Sequence, residues 1–194
     1  MRKRTAVRRT ITSDEYRAMV GNLDTRYPSN RRTRAMLALM YLCGLRCGEV
    51  CALGAEAVDL DAGTVTVGNV PGLCKSGGRV VGLPASDELD AALRAWIADR
   101  DPASPYMFAT TTGKRVQTSS LRRRVSQLAG KAGLVGVHPH TLRHSYAHNL
   151  LAAGVPLPCI QSALGHANLA TTDVYLRVGQ VEQIDATRRV VSPV

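Results

Sequence analysis

The sequence predicts a mainly α fold with one small antiparallel β-sheet. Apolar residues recur at helical spacing in SNRRTRAMLALMYLCGL, residues 29–45. Helix-capping residues precede acidic first turns in TSDEYRAMVGNL and in SDELDAALRAWIADR. Between about residues 55 and 84 the pattern changes, because β-branched TVTV and RVVGLP flank the glycine-rich GNVPGLCKSGG. This change predicts two short strands joined by a loose turn.

Each predicted element follows from a local signal. The first helix begins after a cap at Thr12 or Ser13, and the apolar helix stops at Gly44, which we expect to be its C-cap. A short helix in RCGEVCAL follows at once, and a helix capped by Ser86 or Asp87 comes after the strands. Further helices are predicted over residues 117–132, 141–153, 156–164 and 168–177. Residues 1–10 are expected to form a flexible basic arm.

The composition points towards nucleic acid. The formal net charge is +10, and arginine dominates it. Guanidinium groups match phosphate oxygens, so several such clusters favour a nucleic-acid partner over a merely solvated surface. Only 4% of residues are aromatic, which disfavours stacking on single strands and leaves duplex DNA. The clusters are Arg2, Arg4, Arg8 and Arg9, then Arg31, Arg32 and Arg34, then Arg122, Arg123 and Arg124.

Other features exclude some classes of protein. No run of about 18 apolar residues indicates a membrane span, and the basic start lacks the apolar region of a secretory signal. Five cysteines without a CxxC pair predict a reduced, cytoplasmic chain. Cys43, Cys47 and Cys51 fall at four-residue steps, on one face of a helix. We expect them to be small buried residues rather than zinc ligands.

The segment HPHTLRHSYAHNLLAAG places a histidine and an arginine at a helix start. If the helix begins near Thr141, His140 lies at its edge and Arg143 one turn along, where backbone N–H groups favour an anion. Taken alone, Arg143 could equally be a surface residue paired with a carboxylate. His144 and His148 continue the four-residue steps, but no acidic ligand accompanies them, so a structural and a surface role are expected.

Two further basic residues stand in special places. Arg46 lies between the apolar helix and the next one, where it would need a carboxylate or an anion if buried. Glu49 is the candidate partner, and either neutralises Arg46 or orients it towards a ligand. Lys75 is the only lysine between Lys3 and Lys114, and its glycine-rich turn is also compatible with an ordinary solvated lysine.

A tyrosine near the C-terminus has unusual surroundings. Tyr175 lies nine residues after His166 and is preceded by Ala170, Thr171, Thr172 and Asp173. A packed helix would present large apolar residues every three or four positions. The small, polar approach predicts a tyrosine that other groups can reach.

Together these segments resemble the tyrosine recombinases of the phage integrase type. The resemblance runs from about residue 10 to 178, in GLRCGEV, HTLRHSYAHNLLAAGV and IQSALGHANLATTDVYLRV, and more loosely in CKSGGRVVGLP. It implies the tyrosine recombinase catalytic-domain fold of DNA breaking-rejoining enzymes over residues 11–178. It implies a catalytic set of Arg46, Lys75, His140, Arg143, His166 and Tyr175.

The residue types suit this chemistry. A tyrosine with a pKa near 10 needs a base or positive surroundings to attack a phosphodiester. Two arginines can clamp the non-bridging oxygens, each contributing about 3 kcal/mol. Lys75 would protonate the leaving 5′ oxygen, and His140 would assist proton removal or hold the phosphate. His166 would donate a hydrogen bond, and a 3′-phosphotyrosine link would form without metal, cofactor or ATP.

The implied partner is double-stranded DNA, bound by a homotetramer on paired sites. Residues 179–194 would be a tail that packs on a neighbouring subunit. Most relatives carry a helical DNA-gripping domain ahead of the catalytic one, so we expect a minimal recombinase or an isolated catalytic domain. A DNA-binding regulator without chemistry and a type IB topoisomerase-like enzyme are the two alternative functions.

Overall fold

The computed structural model describes residues 9–68 and 79–165. Within those ranges the chain forms seven helices and a three-stranded antiparallel sheet, which confirms the predicted fold class. No described helix has the length and apolar character needed to cross a bilayer. In chain order the elements are α1 (Ser13–Val20), α2 (Pro28–Leu42), α3 (Cys47–Cys51), β1 (Val58–Asp59), β2 (Thr64–Val67), β3 (Arg79–Gly82), α4 (Asp87–Ile97), α5 (Thr118–Lys131), α6 (Pro139–Ala152) and α7 (Leu157–Leu164).

The chain divides into two compact units, residues 1–146 and 147–194. The first unit contains the sheet, α1 to α5 and the start of α6. In the described part of the second unit, α7 contains the buried Ile160 and is capped by Gly165, whose φ of +61° suits glycine. The helix predicted over 156–164 is therefore confirmed, whereas the one predicted over 168–177 lies outside the described residues.

Helix α2 forms the centre of the first unit. Its residues from Ala35 to Tyr41 are at most 2% exposed, so the C-terminal half of the helix is buried on every side. A helix that is apolar all round must be enclosed, and α2 packs against α3 and α4. Tyr41 stacks on Tyr16 with 4.2 Å between ring centroids, which brings α1 onto the same core.

Two of the predicted caps are present with their hydrogen bonds. The Thr12 hydroxyl accepts from the Glu15 N–H (3.2 Å), and the Glu15 carboxylate accepts from the Thr12 N–H (2.9 Å). This reciprocal pair is a capping box, so Thr12 rather than Ser13 caps α1. Ser86 caps α4 by accepting from the Leu89 N–H at 3.3 Å.

The exit from α2 differs from the prediction by one residue. Cys43 is the C-cap, and Gly44 follows with φ of +66°. The chain re-enters a helix only at Cys47, so the single helix face predicted for Cys43, Cys47 and Cys51 is wrong. The break at Gly44 turns the chain between the first two cysteines. All three thiols are nevertheless buried, as predicted.

The sheet has the strand order β1-β2-β3. Val65 pairs with Val81, and Val67 pairs with Arg79, so the two predicted strands are confirmed in antiparallel register. The short strand β1 is an additional element, which pairs with the start of β2. Because side chains alternate along a strand, Arg79 lies on the same face as buried Val81, and Val80 points the other way with 66% exposure.

Candidate active site

Glu49 lies at the centre of a group of arginines. Arg46 is the N-cap of α3, and Glu49 occupies the third helical position, from which a glutamate reaches back to the cap. Its Oε2 accepts from the Arg46 backbone N–H (2.7 Å), and its Oε1 accepts from Arg46 Nη1 (2.8 Å). The predicted pairing of Arg46 with Glu49 is therefore confirmed.

Arg143 enters this group from α6. Its Nη1 donates to the Gly44 carbonyl at 2.6 Å and lies 3.9 Å from Glu49 Oε2. The residue is only 5% exposed, so its charge requires partners inside the protein. Gly44 supplies one of them because a Cβ at this position would lie 2.2 Å from Tyr146 Cδ1. The absence of a side chain thus lets α6 approach the end of α2 closely enough for this hydrogen bond.

A third arginine, Arg79, comes from the sheet. Arg79 Nη1 donates to Glu49 Oε1 at 2.7 Å, and Arg79 Nη2 donates to Glu49 Oε2 at 3.0 Å. The parallel arrangement of two N–H···O bonds is the strong, directional form of this ion pair. Within the described residues, one carboxylate is thus shared by Arg46, Arg79 and Arg143.

The electrostatics of the group favour an anion. Burial of Glu49 raises the pKa of its carboxyl, but the hydrogen bonds from Arg79 and Arg46 and the charge of Arg79 outweigh burial and lower the pKa to about 2. Glu49 is therefore ionised at neutral pH. Three guanidinium groups around one carboxylate provide donors of the kind that bind phosphate oxygens.

His140 lies beside these arginines at the second position of α6. The start of the helix is held by His138, whose N–H donates to Thr141 Oγ1 (3.3 Å) and whose carbonyl accepts from the Thr141 N–H (2.8 Å). Partial burial lowers the pKa of His140, and the neighbouring His138, Arg122, Arg143 and Arg46 lower it further. The imidazole is thereby kept available to accept a proton at neutral pH.

The structure brings together three of the six predicted catalytic residues. Arg46, His140 and Arg143 surround one region at the junction of α3 and α6. Lys75, His166 and Tyr175 lie outside the described residues. The sequence interpretation missed Arg79, although its signal was present: strand alternation places this charged residue on the apolar face of β3.

The histidines that follow on α6 are half-buried at positions 144 and 148. In residues 9–68 and 79–165, no three His, Cys, Asp or Glu side chains are grouped so as to hold a metal ion.

Of the two arginine clusters that lie wholly among the described residues, the one on α5 is the more exposed to solvent. Arg122 and Arg123 are exposed, whereas Arg124 donates to Asn30 Oδ1 at 2.8 Å. In the α2 cluster, Arg31 pairs with Asp99, and Arg32 donates to the Ala109 carbonyl while its guanidinium lies over the Trp96 ring. Because Arg122 acts on His140, the exposed basic surface of α5 adjoins the arginine site.

Comparison with known proteins identifies the family to which this site belongs. The model described as "Phage integrase family" matches residues 9–181, which is most of the chain. The chain belongs to the phage integrase family. The matched span contains all six positions that the sequence motifs assigned.

Curated members of the phage integrase family are similar over most of this chain. "Tyrosine recombinase XerC" of Xanthomonas campestris pv. campestris (strain B100) is 37% identical over 167 residues, which cover 85% of this chain and 50% of the relative. The protein of the same name from Azotobacter vinelandii is 38% identical over 148 residues, which cover 75% of this chain and 48% of the relative. The chain therefore spans about half the length of the curated relatives it matches.

Solved structures of the phage integrase family share the fold. The crystal structure of XerA recombinase has a TM-score of 0.76 at 28% identity, covering 94% of this chain and 66% of that one. The XerH site-specific recombinase bound to a palindromic difH substrate also has a TM-score of 0.76, at 24% identity. The match covers 93% of this chain and 53% of that one. The expected tyrosine recombinase catalytic-domain fold is thus confirmed.

Proposed function

We propose that this protein is a site-specific DNA recombinase that cleaves and rejoins duplex DNA through a tyrosine–phosphate intermediate. The observation that carries the proposal is the convergence of Arg46 and Arg143 on one ionised carboxylate, beside His140. Membership of the phage integrase family and the XerC relatives support the same function. The proposed catalytic domain comprises residues 11–178.

In the proposed reaction, Tyr175 attacks a phosphodiester, so that a bond from its phenolic oxygen to phosphorus forms while the bond to the 5′ oxygen breaks. Arg46 and Arg143 bind the non-bridging oxygens, where negative charge grows in the transition state. His140, kept neutral by its surroundings, takes the phenolic proton or holds the phosphate. Lys75 gives a proton to the leaving 5′ oxygen, and His166 donates a hydrogen bond.

The product is a 3′-phosphotyrosine link with a free 5′-hydroxyl. Attack by another 5′-hydroxyl reverses the step and restores a phosphodiester, so the bond energy is conserved and no nucleotide cofactor is consumed. The arginines serve both directions, because the same charge develops on the phosphate oxygens each time. In this proposal the chain's own side chains supply every proton transfer.

The proposed partner is duplex DNA. Arg122 and Arg123 on α5 are exposed, Arg122 adjoins the arginine site, and the net charge of +10 favours a polyanion. We further propose a homotetramer on paired DNA sites, in which the tail of residues 179–194 packs on a neighbouring subunit. The weak apolar pattern of Val181, Ile184 and Val190 supports this role. Unchanged assembly and recombination after deletion of residues 180–194 would contradict it.

The test is a covalent-trapping assay. The protein is mixed with nicked duplex fragments from the DNA that flanks the coding sequence. It is then denatured, and its peptides are searched by mass spectrometry for a nucleotide modification. We expect an adduct on Tyr175 in the wild-type protein and in Tyr27→Phe, a matched control at an exposed tyrosine. Tyr175→Phe should bind the same DNA without forming any adduct.

Other outcomes separate the alternatives. An adduct that persists in Tyr175→Phe would remove Tyr175 from its role. DNA binding without any adduct in the wild type would favour the non-catalytic regulator. Relaxation of supercoiled plasmid without site preference would favour a type IB topoisomerase-like enzyme.

A further inference from the structure

Arg79 connects the sheet to the arginine site. It opens β3, opposite Val67, and alternation places it on the buried face of the strand with Val81. From there its guanidinium reaches Glu49, which lies thirty positions earlier in the sequence. An arginine on the apolar face of a strand needs a carboxylate partner, and Glu49 is that partner.

Arg79 restrains both oxygens of Glu49. Each oxygen also accepts a hydrogen bond from Arg46, one from its side chain and one from its backbone N–H. A carboxylate held by two parallel N–H···O bonds cannot rotate about its Cγ–Cδ bond without breaking them. Removal of Arg79 would halve the number of these hydrogen bonds and leave the carboxylate restrained by Arg46 alone. The group on which Arg46 is oriented, and from which Arg143 lies 3.9 Å away, would then be held less firmly.

The pair is poorly explained by stability alone. The side chains of Arg79 and Glu49 are only 21% and 13% exposed, so both charges are largely withdrawn from water. The Arg79 Nε is buried and has no hydrogen-bond acceptor among the described residues. A buried ion pair with an unsatisfied donor adds little free energy compared with a packed apolar side chain, whereas it does define an orientation.

We propose that Arg79 is a positioning residue for the recombination reaction: it locks the Glu49 carboxylate in the orientation that places Arg46 and Arg143 for phosphate binding. The inference rests on the proposed function. Arg79 acts through Glu49 and not by contact with DNA, so its removal should slow cleavage more than it weakens DNA binding.

The experiment measures single-turnover cleavage of a nicked duplex, DNA affinity and thermal stability in one set of variants. The set comprises Arg79→Ala, Arg79→Lys, Glu49→Gln, the Arg79→Ala/Glu49→Gln double variant, and Arg94→Ala. The last is a matched control that removes an arginine from an exposed i,i+4 ion pair on α4.

We expect Arg79→Ala to lower the cleavage rate constant by about 10- to 100-fold, the range that follows from small misplacement of catalytic groups. The DNA affinity of Arg79→Ala should change little, and so should the cleavage rate constant of Arg94→Ala. Arg79→Lys should recover only part of the rate, because one ammonium group cannot hold both carboxylate oxygens. The double variant should be no slower than the slower single variant, since both changes remove the same restraint.

Three results would overturn the inference: multiplicative rate losses in the double variant, a loss of DNA affinity equal to the loss of rate, or a lower melting temperature with an unchanged rate for the folded protein. The first two would indicate a direct contact with DNA, and the third a purely structural ion pair.

A second readout does not depend on cleavage. The Arg46 amide donates to Glu49 Oε2, so its proton chemical shift and hydrogen-exchange rate report the orientation of the carboxylate. Arg79→Ala should move this resonance and speed its exchange, whereas Arg94→Ala should not. An unchanged Arg46 amide would overturn the inference. If the wild-type protein forms no adduct, the proposed recombinase function is contradicted. The chemical shift and exchange rate of the Arg46 amide would still test whether Arg79 restrains the Glu49 carboxylate.

Discussion

Gly44 takes part both in the end of α2 and in the arginine site. Its φ of +66° lies in the left-handed region, its missing side chain makes room for the Tyr146 ring, and its carbonyl accepts from buried Arg143. The same residue thus ends a helix, admits an aromatic ring and positions a candidate catalytic arginine.

Substitution Gly44→Ala should therefore affect stability and activity together. The left-handed conformation costs an L-residue about 1–2 kcal/mol, and the Tyr146 ring must also move away from the new methyl group. We expect a total loss of about 2–4 kcal/mol in the free energy of unfolding, measured in urea, and a loss of cleavage by the folded protein. Gly63→Ala is the matched control, because Gly63 has φ of +61° with open space around it. Equal losses in the two variants would contradict the role of the Tyr146 contact.

The ionised state of Glu49 makes a pH-dependent contribution to stability. Its pKa is lowered from 4.5 to about 2 in the folded protein. A lowered carboxyl pKa stabilises the fold above the unfolded-state value, and this stabilisation is lost as the pH falls towards the folded-state value.

For this shift the contribution is about 3 kcal/mol. The difference in unfolding free energy between wild type and Glu49→Gln should thus be constant above about pH 5 and shrink between pH 4.5 and 2. Urea unfolding at a series of pH values measures it. A difference that is the same at pH 3 and pH 6 would contradict the assignment.

Among the elements, α5 has the most specific expected role in DNA binding. Its Arg122 and Arg123 are exposed, and Arg122 adjoins the site. Arg17 and Arg94 are exposed arginines on α1 and α4. Replacing Arg122 and Arg123 with alanine should weaken DNA binding and reduce the slope of log K against log salt by about 0.9 for each phosphate that the protein no longer neutralises. The Arg17→Ala/Arg94→Ala variant removes the same net charge. Equal slopes in the two double variants would indicate that only net charge matters.

Elements with local signals were predictable from the sequence. The caps at Thr12 and Ser86 are set by hydrogen bonds within one turn, so the residues that make them are neighbours in the chain. Strand β1 was missed because it consists of only Val58 and Asp59 and depends on β2 for its hydrogen bonds. The shared cysteine face was wrong because a four-residue spacing implies one face only while the helix continues, and Gly44 interrupts it.

The contacts within the described part of the candidate site were predictable in the same sense only where the residues are close in the sequence. Arg46 with Glu49, and His140 with Arg143, stand within one helical turn of each other, so their spacing in the sequence already indicates proximity. The contact from Arg79 to Glu49 joins residues thirty positions apart, and that from Arg143 to Gly44 joins residues ninety-nine apart. Such contacts arise from tertiary packing, which no local pattern encodes.

At the scale of the first unit, a hydrogen bond connects the start of its described part to its end. The Ile11 N–H donates to Ser145 Oγ at 2.8 Å, and Ser145 Oγ donates to the Thr141 carbonyl at 2.9 Å. Ser145 is fully buried, so the hydroxyl holds the segment before α1 against α6.

Loss of this hydroxyl in Ser145→Ala would leave the Ile11 N–H buried without an acceptor. Thermal or urea unfolding should show a cost of about 1–3 kcal/mol. Ser126→Ala, at an exposed serine of α5, should stay within about 0.5 kcal/mol of wild type. Equal stability of both variants and wild type would show that another acceptor replaces the hydroxyl.

The complete burial of Ala35–Tyr41 in α2 has a consequence for synthesis. This helix emerges from the ribosome before α4, against which it packs, and before α6, whose Arg143 binds the carbonyl just beyond its end. A helical segment without a solvent-facing side cannot shield its apolar surface by itself while the nascent chain grows. Until the later helices are made, α2 exposes an apolar surface that chaperones would bind. The yield of folded protein during expression should therefore depend on translation speed and chaperone supply more than on the stability of the finished fold.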